Sequence, residues 1–159
     1  MRAKTQTGDS TIDLLEANWV PIRDECLTVS NYMRWPESIY TGNWDVYGIY
    51  DLQGYLIEEN AIRCPKTTEV LKQIPNLRTA GFSKLGAGAH IKPHKGYTDA
   101  VLRCHLGLVV PEGDCALKVE ETVYRWQEGK AFVFNDRLLH EAWNYTDSNR
   151  YVLLLDLSK

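Results

Sequence analysis

The four histidines of this 159-residue chain, His90, His94, His105 and His140, all fall between Gly81 and Leu157. In that stretch short apolar runs alternate with Gly, Pro, Asn and Asp, the pattern of an antiparallel β fold. His94 and His140 each stand where a strand meets a turn, and Arg150 opens the last apolar run. Neutral imidazoles bind first-row transition metals, and a guanidinium binds a carboxylate through two parallel hydrogen bonds. Two such histidines with a buried arginine nearby point to a metal that works with an acidic co-substrate. The most familiar histidine site for iron adds a carboxylate two residues after the first histidine. Here that position is Gly96, so His94 and His140 would form a two-histidine site completed by water. His90, four residues before His94, could mimic a helical zinc pair. The glycine-rich run at 86–89 and Pro93 argue against a helix, and His90 reads as a structural or rim residue.

Strands must carry these groups. Residues 100–110 alternate strictly, with Val101, Arg103, His105, Gly107 and Val109 on one face and Leu102, Cys104, Leu106, Leu108 and Val110 on the other. A strand that is oily on one side and carries Arg and His on the other turns that second side to a polar cavity. Residues 44–50 and 77–85 read as strands, 116–120 with 122–126 as a hairpin, 131–134 as a returning strand and 151–157 as the closing strand. Toward the N-terminus, Ser10 or Thr11 is suited to cap a helix bearing Ile12, Leu14 and Leu15. After Pro21, the spacing of Ile22, Cys26 and Val29 marks a second helical face. Thr67 or Thr68 is suited to cap a third helix bearing Val70, Leu71 and Ile74, which Pro75 ends. Seven or eight short strands in this order predict a mainly β jelly roll, cupin-like, with a few covering helices on the N-terminal side. The length fits one domain over 1–159, its polar residues 1–10 flexible.

The bulk numbers narrow the function. A net charge of -3 and a pI near 5.8 exclude nucleic-acid binding by bulk charge. They also give no polybasic membrane signal, and no apolar run is long enough to span a bilayer. Cys26, Cys64, Cys104 and Cys115 form no CxxC pair, which argues against a structural zinc site. The opening MRAKTQTGDSTIDLLEANW has no apolar leader core. The expectation is a cytoplasmic protein with reduced thiols and neither a nucleic-acid nor a membrane partner.

Seven blocks of the chain, in order and spacing, carry a resemblance: GNW (42–44), CPKTTEVLKQIPNL (64–77), FSKLGAGAHIKPHKG (82–96), LRCHLGLVVP (102–111), WQEGKAFVFND (126–136), LLHEAWN (138–144) and NRYVLLLD (149–156). Together they resemble the aspartyl/asparaginyl β-hydroxylase family. The resemblance implies a double-stranded β-helix and a dioxygenase that uses Fe(II), 2-oxoglutarate and O2, releasing succinate and CO2 as it hydroxylates a C–H bond. That family binds iron with two histidines and no carboxylate, which Gly96 matches. By the same resemblance His94 and His140 are the iron ligands, and Arg150 and Ser83 hold the far carboxylate of 2-oxoglutarate. Arg103 and His105 face the oxoacid and the substrate, and Trp44 walls the co-substrate pocket. The implied substrate is an amino acid or aminoacyl unit, a carboxylate-bearing small molecule or its tethered form. Family members often carry a second basic residue two before Arg103, where this chain has Val101; that speaks against an acidic side chain as substrate. Two alternatives stand beside this. One is a cupin-type binder of a metal or small acid without oxygenase activity, with Arg150 merely paired to Asp136 or Asp156. The other is an iron halogenase with halide in the position that Gly96 leaves open.

Overall fold

The computed structural model describes residues 6–159. Its four helices, among the described residues, are α1 (Gln6–Ala17), α2 (Trp19–Thr28), α3 (Glu58–Ala61) and α4 (Pro65–Leu71). The strands are β1 (Met33–Arg34), β2 (Tyr40–Thr41), β3 (Trp44–Tyr50), β4 (Leu77–Leu85), β5 (His90–His94), β6 (Val101–Val109), β7 (Cys115–Val119), β8 (Thr122–Tyr124), β9 (Ala131–Phe134), β10 (His140–Asn144) and β11 (Arg150–Ser158). They form two antiparallel sheets, one in the order β1-β3-β4-β11-β6-β9 and one in the order β2-β5-β10-β7-β8. This is the mainly β jelly roll that the alternating pattern predicts.

Period-two alternation sorts the side chains into two apolar layers. On β4, β6 and β11 the outward set Phe82, Leu106, Leu108, Leu153 and Leu155 meets Leu15, Ile22 and Cys26 from the helices. The inward set, Trp44, Leu85 and Val152, meets Ile91, Leu117 and Ala142 from the smaller sheet. The helices therefore cover one face of the six-stranded sheet, and its other face looks into the space between the sheets. β6 follows the expected alternation, with Cys104, Leu106 and Leu108 fully buried toward the helices.

Several local expectations shift. More strands form than the seven or eight predicted, because β1 and β2 are two-residue edge strands and β5 contains Pro93, which masks a strand pattern. α1 begins at Gln6, so neither Ser10 nor Thr11 caps it. Thr11 is only 3% exposed and shares the inward face with Leu15, four residues on. Residues 6–10 form the opening turns of this helix, while residues 1–5 lie outside the described residues. α2 starts at Trp19, and Pro21 sits in its first turn, where no intrahelical N–H bond is lost. α4 starts at Pro65 behind Cys64, so Thr67 and Thr68 are buried inside the helix. Its cap comes from another helix: the Glu25 carboxylate accepts hydrogen bonds from the backbone N–H groups of Lys66 at 2.9 Å and Thr67 at 2.7 Å, and from the Thr67 hydroxyl at 2.7 Å. A carboxylate at a helix N-terminus satisfies orphan donors and meets the positive end of the dipole.

All four cysteines are unpaired and buried, and burial pushes the Cys26, Cys64 and Cys104 thiols up to about 12. Among the described residues no helix is long and apolar enough to cross a membrane. The remote cap gives a direct expectation. Glu25→Ala lowers unfolding stability by about 1–2 kcal/mol in urea denaturation, the loss typical of a helix cap; a change within a few tenths would remove Glu25 from that role.

Candidate active site

The two sheets converge on a cavity lined by all seven residues singled out from the sequence: Trp44, Ser83, His94, Arg103, His105, His140 and Arg150. Strand register accounts for the histidine pair. β10 lies between β5 and β7, and His140 is the direct cross-strand partner of His94. Between that pair and the next, Ala142 opposite Ile91, β5 contributes one residue more than β10. The extra residue is the bulge where a strand tolerates Pro93. The two imidazole centroids are 4.3 Å apart.

Each ring is oriented by its own backbone. His94 Nδ1 lies 2.8 Å from the Lys92 carbonyl and His140 Nδ1 lies 2.8 Å from the Leu138 carbonyl. A carbonyl only accepts, so each Nδ1 carries the hydrogen and each Nε2 keeps its lone pair. Burial, opposed by the Leu138 carbonyl and reinforced by the charge of Arg103, pushes His140 down to about 4. It is therefore neutral near pH 7, the form that binds metal. Two oriented lone pairs on adjacent rings fit a first-row transition metal. Among the described residues no group of three or more His, Cys, Asp or Glu side chains is arranged to hold one.

Gly96 explains part of that. A Cβ built on Gly96 would overlap the Asp136 carboxylate, lying 2.6 Å from its Cγ. The Gly96 N–H donates to the Asp136 carbonyl at 2.7 Å, and Arg137 Nη1 donates to the Gly96 carbonyl at 2.8 Å. Asp136 is buried, and its Oδ1 has no hydrogen-bond partner. Burial raises its pKa, while the Arg103 guanidinium 3.6 Å away works in the opposite direction.

The opposite wall comes from the larger sheet. Arg150 is 2% exposed, and its Nη2 donates to Ser83 Oγ at 2.9 Å and to the Ser83 carbonyl at 3.2 Å. Its guanidinium sits 4.4 Å from the Trp126 ring centroid, and its Nε has no partner among the described residues. Burial draws this cation down to about 10. The carboxylates that could have neutralised it serve another arginine. Asp156, opposite Arg103 across β11 and β6, accepts from Arg103 Nε at 2.8 Å and Nη2 at 3.1 Å. Burial pulls Arg103 down, but the Asp156 bonds and the charges of Asp156 and Asp136 outweigh it and leave Arg103 above its ordinary value. Trp44 Nε1 donates to Ser83 Oγ at 2.9 Å, and Trp126 Nε1 donates to His105 Nδ1 at 3.0 Å. Burial, then the charges of Arg150 and Arg103, hold His105 well below its usual range. His90 stands apart on the rim, 3.7 Å from Glu141.

Comparison with known proteins decides the family. The aspartyl/asparaginyl beta-hydroxylase model matches residues 16–159. The chain belongs to this family. A relative from Rhizobium tropici, an ornithine lipid ester-linked acyl 2-hydroxylase, is 40% identical over 140 residues, covering 87% of this chain and 46% of its own. The aspartyl/asparaginyl beta-hydroxylase of Homo sapiens is 33% identical over 156 residues, covering 90% of this chain and 20% of its own. The chain thus spans less than half the length of these relatives. Among solved structures, an oxidoreductase of the 2OG-Fe(II) oxygenase family from Burkholderia pseudomallei superposes with a TM-score of 0.60 at 14% identity, covering 99% of this chain and 94% of that one. A likeness at that identity speaks to the fold alone.

Sequence reasoning missed Trp126 and the pairing of Asp156 with Arg103, and treated Asp136 only as a possible partner of Arg150. Trp126 opens the matched block WQEGKAFVFND, which was the available signal. The fit between Gly96 and Asp136 is testable by stability alone. Gly96→Ala costs about 1–3 kcal/mol by overpacking, and a double-mutant cycle with Asp136→Gly recovers part of it. Additive losses would mean that the two positions do not share that space.

Proposed function

We propose that this chain is an Fe(II)- and 2-oxoglutarate-dependent hydroxylase that oxidises a C–H bond of a fatty-acyl unit. The observation that carries the reading is the buried cation of Arg150, without a carboxylate among the described residues, lining one cavity with two imidazoles that have free Nε2 lone pairs. A buried charge without a counter-ion is costly, and a dicarboxylic ligand relieves that cost. In this reading His94 and His140 hold iron through Nε2. Arg150 and Ser83 bind the far carboxylate of the oxoacid, and His105 donates from Nε2. Trp44 closes the wall and keeps water from the reacting groups. Iron and the oxoacid together supply the O2-dependent oxidation, whose by-products are succinate and CO2. The chain's own work is to orient the ligands and exclude water. The Asp136 carboxyl group fills the space over Gly96, the room that a halide would need in a halogenase.

The acyl class is supported by a relative's name and by exposed apolar side chains close in sequence to the site. Leu138 and Leu139, just before His140, and Tyr97, just after Gly96, are exposed, Leu139 at 48%. Beside Leu139 a groove of about 290 Å³ runs along His140, lined by Pro93 and Leu139 together with Lys118, Glu120, Glu121 and Glu141. The Rhizobium tropici relative is named for acyl hydroxylation. An aminoacyl substrate is the second reading, favoured by the name of the human relative. A single assay addresses both: purified protein, Fe(II), 2-oxoglutarate and O2 with a panel of acyl and aminoacyl compounds. Succinate is quantified and each compound is inspected for a mass gain of one oxygen atom. Succinate formation that requires iron and is lost in His140→Ala is expected. Absence of succinate with every compound sinks the enzymatic reading. Arg150→Ala should raise the 2-oxoglutarate Kd by roughly thirtyfold or more and leave iron affinity unchanged, as measured by calorimetry under anaerobic conditions.

A further inference from the structure

We propose that two tryptophans, Trp44 and Trp126, are positioning residues that set the hydrogen-bond polarity of the cavity, so that Ser83 and His105 both offer hydrogens to a ligand. The proposal rests on the reading above, and it concerns which side of each hydrogen bond faces the ligand. An indole N–H can only donate. Trp126 Nε1 is 3.0 Å from His105 Nδ1, so that nitrogen must be the acceptor. The neutral ring then carries its hydrogen on Nε2. That Nε2 is buried, belongs to a residue lining the cavity and has no partner among the described residues. A buried donor without a partner is uncommon and marks a place where a ligand acceptor belongs.

Ser83 obeys the same logic. Its Oγ receives the indole N–H of Trp44 and Nη2 of Arg150, each at 2.9 Å. Both neighbours are donors only, so both Oγ lone pairs are engaged and the hydroxyl hydrogen is left to point elsewhere. Arg150 adds an unpartnered Nε–H. The wall formed by Ser83, His105 and Arg150 therefore offers donors, which suits a carboxylate dianion. It penalises a neutral amide of the same shape, whose NH2 group would face hydrogens. Neither tryptophan needs to touch the ligand to impose this. Trp126 has a second task, since its ring lies under the Arg150 guanidinium.

Trp126→Phe separates the N–H from the ring, because phenylalanine retains an aromatic face for Arg150. Nitrogen-15 NMR of the histidines reads the tautomer directly and needs neither iron nor oxoacid. The wild-type His105 should be the Nε2–H form, and Trp126→Phe should show a mixture of tautomers. In anaerobic Fe(II)-loaded protein the same variant should bind 2-oxoglutarate about tenfold more weakly, with iron affinity unchanged. Trp44→Phe should weaken the oxoacid in the same direction and leave the His105 tautomer alone. An Nδ1–H wild-type tautomer overturns the proposal even if the variants fail to fold. So does Trp126→Phe with an unaltered tautomer or an unaltered Kd. Wild-type protein that binds no oxoacid at all overturns the functional reading instead, and the tautomer result then decides the role of Trp126 by itself.

Discussion

A guanidinium sealed inside the barrel without a carboxylate is the constraint around which this domain is arranged. Two arginines, Arg103 and Arg150, point into the same cavity, and the chain treats them oppositely. Arg103 is held by the bidentate Asp156 fork with Asp136 close by. Among the described residues Arg150 receives a hydroxyl, a carbonyl and the face of an indole, and no carboxylate. Those partners lower the cost of burial without cancelling the charge. One arginine is thereby neutralised within the scaffold, and the other meets no carboxylate among the described residues. The ring nitrogens facing the cavity fit this division. Backbone carbonyls fix His94 and His140 as lone-pair bearers, while an indole fixes His105 as a donor.

The layers make that arrangement durable. The six-stranded sheet is sealed on its outer face by α1, α2 and α4, and Glu25 ties α2 to the start of α4. Strands β3, β4, β6 and β11 can therefore present polar and charged groups on the inner face while their outer face contributes ordinary core. The smaller sheet supplies the histidine pair from neighbouring strands, so their separation follows from strand spacing and not from a flexible loop.

The architecture and the polar lining were legible because both rest on period-two alternation and on residue types that have few other uses. Arg103 and His105 opposite Cys104, Leu106 and Leu108 announced a strand between oil and a cavity. What could not be read was set by tertiary partners. The cap of α4 comes from Glu25, some forty positions upstream, so the local Thr67 and Thr68 signal misled. β5 was hidden because Pro93 sits in a bulge that only the pairing with β10 reveals. The partition of two aspartates between two arginines depends on cross-strand register, which spacing along the chain does not encode. Trp126 looked like one more aromatic on a hairpin until its N–H was seen to meet an imidazole.

The double duty of β6 has a consequence for how this domain can change. Its neighbours β9 and β11 hold it between them, one strand in from the edge of the larger sheet. Losing or gaining one codon within residues 101–109 would turn the strand over, sending the guanidinium and imidazole into the greasy layer under the helices and the leucines into the chamber. Substitutions can drift along this strand, whereas length variation has to be absorbed by the loops at its ends.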